Sequence, residues 1–478
     1  MVQDGGLQRR VIADLEEGVV EATGFAPWHN GQFMPNPAPV QLRRTLTLPQ
    51  LLIMGVIFVQ PTAPMPPFGA IHVVAKGHVV TVVLMALVAM LCTAISYGRM
   101  ARAYPAAGSA YTYVGKEVHP VAGYLTGWSM LLDYVVNPLI CTIWCASAAR
   151  DLFPDVPQPV WIFAFAALFT VMNLRGIQAT ARTNQLLTIG MGVVIVWVLA
   201  AVLRYVLAVP DLSATTWVRP FYDPALFSWP AISTGASVAV LTYIGFDAIS
   251  TLSEEVHNPR RNILLATVGT CLIIGALSAV EVYAAQLVWP PNEPFPNVDT
   301  AYVHAAGRAG GMLLFHVLTL TLVVATIGSG SGAHLAGARL LYGMGRDNTI
   351  PQGFFGVLHP RTRIPANNVI LIGLACAAGG LLISYQLGAE LLNFGALIGF
   401  MGVNLSALLH YWVRAEKRQW IHLAPPLVGL LICFYLWISL SRPAQIAGWS
   451  WVIAGLLYGA WKTRGFRQPM PRFEGGLE

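Results

Sequence analysis

The chain has 478 residues, 56% of them hydrophobic and only 10% charged, where a soluble domain carries about a quarter charged residues. That balance excludes a water-facing globular surface. The net charge of +6 does not read as a nucleic-acid patch, because the basic residues lie in short segments between long apolar runs, where they orient helices.

The first 40 residues, with Asp14-Leu15-Glu16-Glu17 and Pro35-Asn36-Pro37-Ala38-Pro39, hold no apolar run like a signal peptide and read as a disordered cytoplasmic tail. A spanning helix needs about 20 mostly apolar residues. Twelve such segments follow, over 46–74, 79–101, 120–149, 158–175, 184–208, 230–254, 263–288, 311–344, 367–386, 390–413, 421–440 and 446–462. The run 311–344 is long enough to tilt or to extend past the bilayer, and residues 466–478 read as a second cytoplasmic tail. With both ends inside, the outer segments hold Lys76, Arg150, Arg219, Arg308 and Arg442, with Arg204 near the outer end of the fifth span. Every other lysine and arginine falls on the inner side, so the charge bias supports the helix count and the orientation together. Six cysteines, Cys92, Cys141, Cys145, Cys271, Cys376 and Cys433, all lie in apolar stretches without C-x-x-C spacing, which argues against a disulfide framework or a zinc site.

Two spans are interrupted. The first contains Gln60-Pro61-Thr62-Ala63-Pro64-Met65-Pro66-Pro67-Phe68-Gly69, and proline removes backbone donors that lipid cannot replace. The sixth carries Tyr243-Ile244-Gly245-Phe246-Asp247-Ala248 at its middle, a glycine beside an acid at membrane depth. These spans open successive five-helix halves, and interruptions at matching positions point to an inverted-repeat transporter whose site lies at the breaks. The alternative is a pair of kinks that only fit neighbouring helices together.

The ordered motifs carry a resemblance. Arg102-Ala103-Tyr104-Pro105-Ala106-Ala107-Gly108-Ser109-Ala110-Tyr111-Thr112-Tyr113 looks like the loop after helix 2 of the amino acid-polyamine-organocation (APC) superfamily. Gly127-Trp128-Ser129-Met130-Leu131-Leu132-Asp133-Tyr134, Gly245-Phe246-Asp247-Ala248, Thr251-Leu252-Ser253-Glu254-Glu255, Arg339 to Asn348 and Asn393-Phe394-Gly395-Ala396-Leu397 resemble bacterial putrescine importers. The resemblance spans residues 41–465. It implies an all-α membrane protein of the leucine-transporter type: a five-helix repeat over 46–208, an inverted copy over 230–413, and helices 11 and 12 over 421–462. It further implies a permease, not an enzyme, moving a polyamine such as putrescine, another amine or an amino acid across the cytoplasmic membrane, with the proton as the usual coupling ion. Where putrescine importers hold an acid in the broken first helix, this chain has Pro66 and Pro67. Conversely, Glu281 stands in helix 7 where a small residue is expected.

Ionisable residues at membrane depth are functional candidates by default, and Asp133, Asp247 and Glu281 qualify. Asp247 lies in the second break, and a similar position in related arginine exchangers holds an acid tied to proton-dependent release. It either couples substrate and proton or caps the half-helix after the break. Asp133 either faces the cavity or pairs with a neighbouring helix. Glu281, with no basic partner in its own helix, is expected to face the cavity as an amine or proton site. The expected substrate contacts are thus Gln60, Pro61, Thr62, Ala63, Pro64, Asp133, Tyr134, Tyr243, Ile244, Gly245, Phe246, Asp247 and Glu281, with Asp247 and Glu281 as proton carriers. Tyr243 and Phe246 offer faces for an ammonium group, whereas Tyr111 reads as packing. Glu254 and Glu255 with Arg260 and Arg261 read as interfacial charge, and His316 and His334 as interhelical histidines. Helix 5 has no lysine to stand in for a sodium ion, and Ser329 and Ser331 fit either sodium coordination or close packing. Neither an H-E-x-x-H nor a G-x-S-x-G motif nor a P-loop occurs, so no cofactor, metal or nucleic-acid partner is expected. The expected partners are a small solute, lipid and the proton.

Overall fold

The computed structural model describes residues 46–467 apart from 105–109, 177–180, 210–213, 254, 291, 347, 349, 417 and 466. Both tails, the middle of the loop motif after helix 2, and Glu254 therefore lie outside the described residues. The described chain is almost wholly helical, and eight of its helices are long and apolar enough to cross a membrane.

The first segment is two helices, α1 (Leu48–Val59) and α2 (Phe68–Val74). Between them Gln60 takes a left-handed φ of 73° and residues 61–67 form tight turns. Next come α3 (Val79–Ala103), the short α4 (Ala110–Glu117), α5 (Pro120–Leu152), α6 (Gln158–Leu174), α7 (Ala181–Ala208) and the surface turn α8 (Ala214–Val218). The second interrupted segment opens with α9 (Trp229–Ala239), tightens into a 3-10 turn at Val240–Tyr243, breaks at Ile244 and Gly245, and resumes as a 3-10 helix over Phe246–Leu252. After it run α10 (Pro259–Val288), α11 (Ala301–Arg346), α12 (Gln352–Phe355), α13 (Ala366–Leu382), α14 (Tyr385–Leu408) continuing as a π-helical turn at Leu409–Val413, α15 (Trp420–Ile438) and α16 (Arg442–Lys462). In α11 the span expected from residue 311 begins at a real discontinuity, because Gly311 has φ 81° and ψ 180° and divides a shorter leading helix, from Ala301, from the long one.

Both interruptions follow from chemistry written in the chain. In the first, Pro61, Pro64, Pro66 and Pro67 lack an N–H, so no i→i−4 ladder can continue through them. The second turns on Gly245, whose φ of 115° is a conformation side chains resist. The tightening before this break leaves carbonyls without helical partners, and α14 supplies the remedy: Asn393 Nδ2 donates to Ser237 O (2.8 Å) and Val238 O (3.1 Å).

The two interrupted segments run antiparallel and touch. A Cβ on Gly245 would lie 3.0 Å from Phe58 O, at the end of α1. At the far end Leu46 N donates to Glu255 O (3.0 Å) and His257 N to Leu46 O (2.9 Å). Around this pair, α10 lies along α1 and α3, while α5 lies against α11 and α14. The Trp128 and Trp451 indoles each donate to the other's backbone carbonyl at 2.9 Å and fasten α16 to α5.

One charged cluster pins α4 beneath the bundle. The buried Glu117 carboxylate accepts from Tyr104 Oη, from Arg414 Nη1 (2.6 Å) and from His410 Nδ1 (2.7 Å), and Arg414 Nη2 also reaches Glu117 O (2.8 Å). Burial by itself would raise this carboxyl, but the hydrogen bonds from Tyr104 and His410 and the charges of His410 and Arg414 hold it below its ordinary range.

Two outcomes follow. Gly245→Ala, forced to a positive φ against Phe58 O, is expected to cost about 1–2 kcal/mol, read as a lower melting temperature of the detergent-solubilised protein. Because the folded-state carboxyl of Glu117 lies below its free value, its stabilisation is full at neutral pH and is lost as pH falls through that lowered value. Glu117→Gln is therefore expected to melt lower than the parent at pH 7, with the gap closing on acidification.

Candidate functional site

A cavity of about 610 Å³ opens where the interrupted segments meet, walled by α5, α7 and α11. From the first break it is lined by Gln60, Thr62 and Ala63, and from the second by Ile244, Gly245, Asp247, Ala248 and Thr251. Asp133 and Tyr134 reach it from α5, together with Asn137, Cys141 and Trp144 one to three turns further on. Asn184, Thr188 and Met191 face it from α7, Ser329 and Gly332 from α11, and Tyr385 from the start of α14. Two carboxylates, Asp133 and Asp247, face this space, and among the described residues no lysine, arginine or histidine lines it. The pair lies within electrostatic range of one another.

The break is held open by its own polar groups. Gln60 Nε2 donates to Ala325 O of α11 (3.4 Å) and the Thr62 hydroxyl faces Met191 Sδ (3.7 Å). Asp247 stands in the first turn of the 3-10 helix that follows the break, the end of a half-helix at which an acid is favoured.

Five expected contacts lie elsewhere. Pro61 and Pro64 are buried behind the lining. Tyr243 turns to α3, where its hydroxyl donates to Val83 O (2.8 Å), and Phe246 packs between Tyr97 and Phe400 at ring separations of 5.7 and 5.5 Å. The cause is the 3-10 winding: every third residue eclipses, so Leu241, Ile244, Asp247 and nearby Thr251 face the cavity while Tyr243 and Phe246 face the core. Glu281 is the largest correction. No residue of α10 lines the cavity, since that helix packs on α1 and α3. Glu281 is 0% exposed, and neither carboxylate oxygen has a hydrogen-bond partner among the described residues. Tyr302 Oη donates instead to the Glu281 backbone carbonyl (3.3 Å). His334 Nε2 donates to Val369 O (2.8 Å), an interhelical contact as expected, and His316 is exposed. Ser329 lines the cavity, whereas Ser331 accepts from Asn173 Nδ2 (3.3 Å).

Sequence reading missed Asn137, Cys141 and Trp144, although a helical count from Asp133 and Tyr134 places all three on the same face. It also missed a polar latch beyond them. Asp151 Oδ1 accepts from Asn297 Nδ2 (2.9 Å), Oδ2 meets His304 Nε2 (3.1 Å) and accepts from Thr300 Oγ1, and Ser147 Oγ donates to Asp299 Oδ2 (2.7 Å). These bonds tie the loop before α11 to the end of α5, one and two turns past Trp144.

A family model described as amino acid permease matches residues 49–462. The chain belongs to this family. The permease is 36% identical over 451 residues to the low-affinity putrescine importer of Escherichia coli, covering 92% of this chain and 98% of the relative. It is 26% identical to the branched-chain amino acid permease of Lactococcus lactis, over 88% and 95% of the two chains, and 24% identical to the methylthioribose transporter of Bacillus subtilis, over 87% and 92%.

The charge of the lining can be probed directly. Gly332 has open space where a Cβ would stand, so Gly332→Cys fits in a permease whose native cysteines are replaced. A cationic methanethiosulfonate is expected to label it about tenfold faster than an anionic one, the bias that two nearby carboxylates impose. Equal rates would show that the acids do not set the potential of the cavity.

Proposed function

We propose that this permease is a secondary active transporter that moves a polyamine, another small amine or an amino acid across the cytoplasmic membrane by alternating access, with uptake coupled to protons. The carrying observation is the pairing of Asp133 and Asp247 in a cavity that, among the described residues, is lined by no cationic side chain. A solute bearing ammonium groups neutralises that excess, and the lining tyrosines and Trp144 add faces on which such a group rests. That the Escherichia coli relative is a putrescine importer agrees with this chemistry.

The architecture that goes with this reading is twelve spans, two inverted five-helix repeats over 46–208 and 230–413 followed by helices over 421–462, with both ends cytoplasmic. Support comes from the breaks at Gln60–Pro67 and Gly245, which fall in corresponding helices of the two halves and meet at the cavity. Rocking of one bundle against the other about these hinges would open the cavity to either side in turn. Asp247, facing the solute from the first turn of the half-helix, is the nearer proton carrier. Glu281, buried without a partner, is the second, acting from outside the cavity. The alternative within this class is exchange of an amine or amino acid for another solute, and a non-transporting sensor on the same scaffold stands further off.

Proteoliposomes separate these. Labelled putrescine is expected to accumulate when the outside is made acidic; stimulation by internal solute with no response to the pH gradient would mean exchange, and no flux a sensor. Asp133→Asn and Asp247→Asn are each expected to weaken amine binding by roughly 10- to 100-fold, the loss of one charge-assisted hydrogen bond, while leaving the melting temperature near that of the parent. Glu281→Gln is expected to keep the parent's affinity for amine, because its side chain is not part of the lining.

A further inference from the structure

The first break offers few free backbone donors. In half-helix transporter sites the anionic end of a solute is held by N–H groups freed where a helix is interrupted. Here the first break has four prolines at 61, 64, 66 and 67. Of its four remaining amides, Gln60 N donates to Val56 O (2.9 Å), Ala63 N to Gln60 O (3.2 Å) and Met65 N to Thr62 O (3.0 Å). Phe68, Gly69 and Ala70, which open the short helix beyond, do not line the cavity. The second break spends amides in the same way: Ile244 N donates to Leu241 O (3.3 Å) and Ala248 N to Gly245 O (3.2 Å).

A solute carboxylate entering the cavity would meet uncharged donors, among them Thr62, Tyr134, Asn137, Trp144, Asn184 and Ser329, and two resident carboxyl groups. Among the described residues no cationic side chain lines the space to receive it, and it would have given up its own hydration. An amine without a carboxylate gives up nothing of the kind. Asp133 and Asp247 stand ready for ammonium groups in either case.

We infer that the proline-rich break and the two acids lining the cavity together form a filter against α-carboxylates, so that the permease takes carboxylate-free amines and rejects the amino acids of the same carbon skeleton. This inference rests on reading the cavity as an amine site, and it narrows the substrate to the products of amino-acid decarboxylation. Pro61 and Pro64 become specificity-determining residues although neither touches the cavity, since their contribution is a missing N–H.

The test compares matched pairs on the purified permease in lipid nanodiscs. Unlabelled putrescine and ornithine, and likewise agmatine and arginine, compete against labelled putrescine. The amine of each pair is expected to compete at a concentration roughly tenfold lower or less, a gap of at least one hydrogen-bonded charge. Pro61→Ala and Pro64→Ala, which restore an N–H to the break, are expected to narrow that gap by improving the amino acid and not the amine. Equal competition by amine and amino acid in the parent protein would overturn the inference while leaving the amine site intact. Labelled putrescine failing to bind at all would remove the amine-site reading, and the filter with it.

Discussion

A backbone amide or carbonyl deprived of its helical partner inside an apolar layer has no water to turn to, and must find another protein group or a solute. Everything distinctive in this molecule follows from how two interrupted helices meet that demand. Turns consume the amides of Gln60, Ala63 and Met65, the side chain of Asn393 takes the carbonyls of Ser237 and Val238, and further turns take the amides of Ile244 and Ala248. With these needs met internally, the breaks can stand open against a cavity instead of collapsing on each other.

The same settlement decides the electrostatics. A break whose amides are free is a positive site; one whose amides are occupied is neutral, and the nearby carboxylates then dominate. Asp133 contributes one such group from a continuous helix, Asp247 the other from the first turn after a break. The cavity is therefore lined by acids and, among the described residues, by no base, although the chain as a whole carries +6. The surplus of lysine and arginine lies in the segments between spans, where solvent and lipid head groups screen it.

Glu281 shows how much a helix face matters. On sequence grounds an acid with no basic partner in its own span had to face a polar space, since leaving it against lipid is costly. The structure offers a third place, the interior of the protein wall between α10 and the elements around it, with Tyr302 nearby. Tyr243 and Phe246 were displaced for a related reason. Both belong to the break, but winding at three residues per turn rotates them into the core, where an irregular loop would have left them beside the solute.

Eight helices long and apolar enough to cross a membrane, and both interruptions, were legible in the chain, because each rests on local chemistry: apolar length, proline's missing donor, glycine's tolerance of positive φ. Gln60, Thr62, Ala63, Asp133, Tyr134, Ile244, Gly245 and Asp247 were legible as site residues on the same basis and do line the cavity. What only the tertiary structure decided is which faces converge. Asn137 and Trp144, the α7 and α11 surfaces, the Asn393 bonds to α9 and the latch at Asp151 all depend on contacts between residues more than a hundred positions apart, or on the rotation of one helix about its axis. A periodic pattern fixes that a helix has a buried face, but in a bundle buried on most sides it does not say which buried face meets a solute and which meets a neighbour; that is set by how the helices pack.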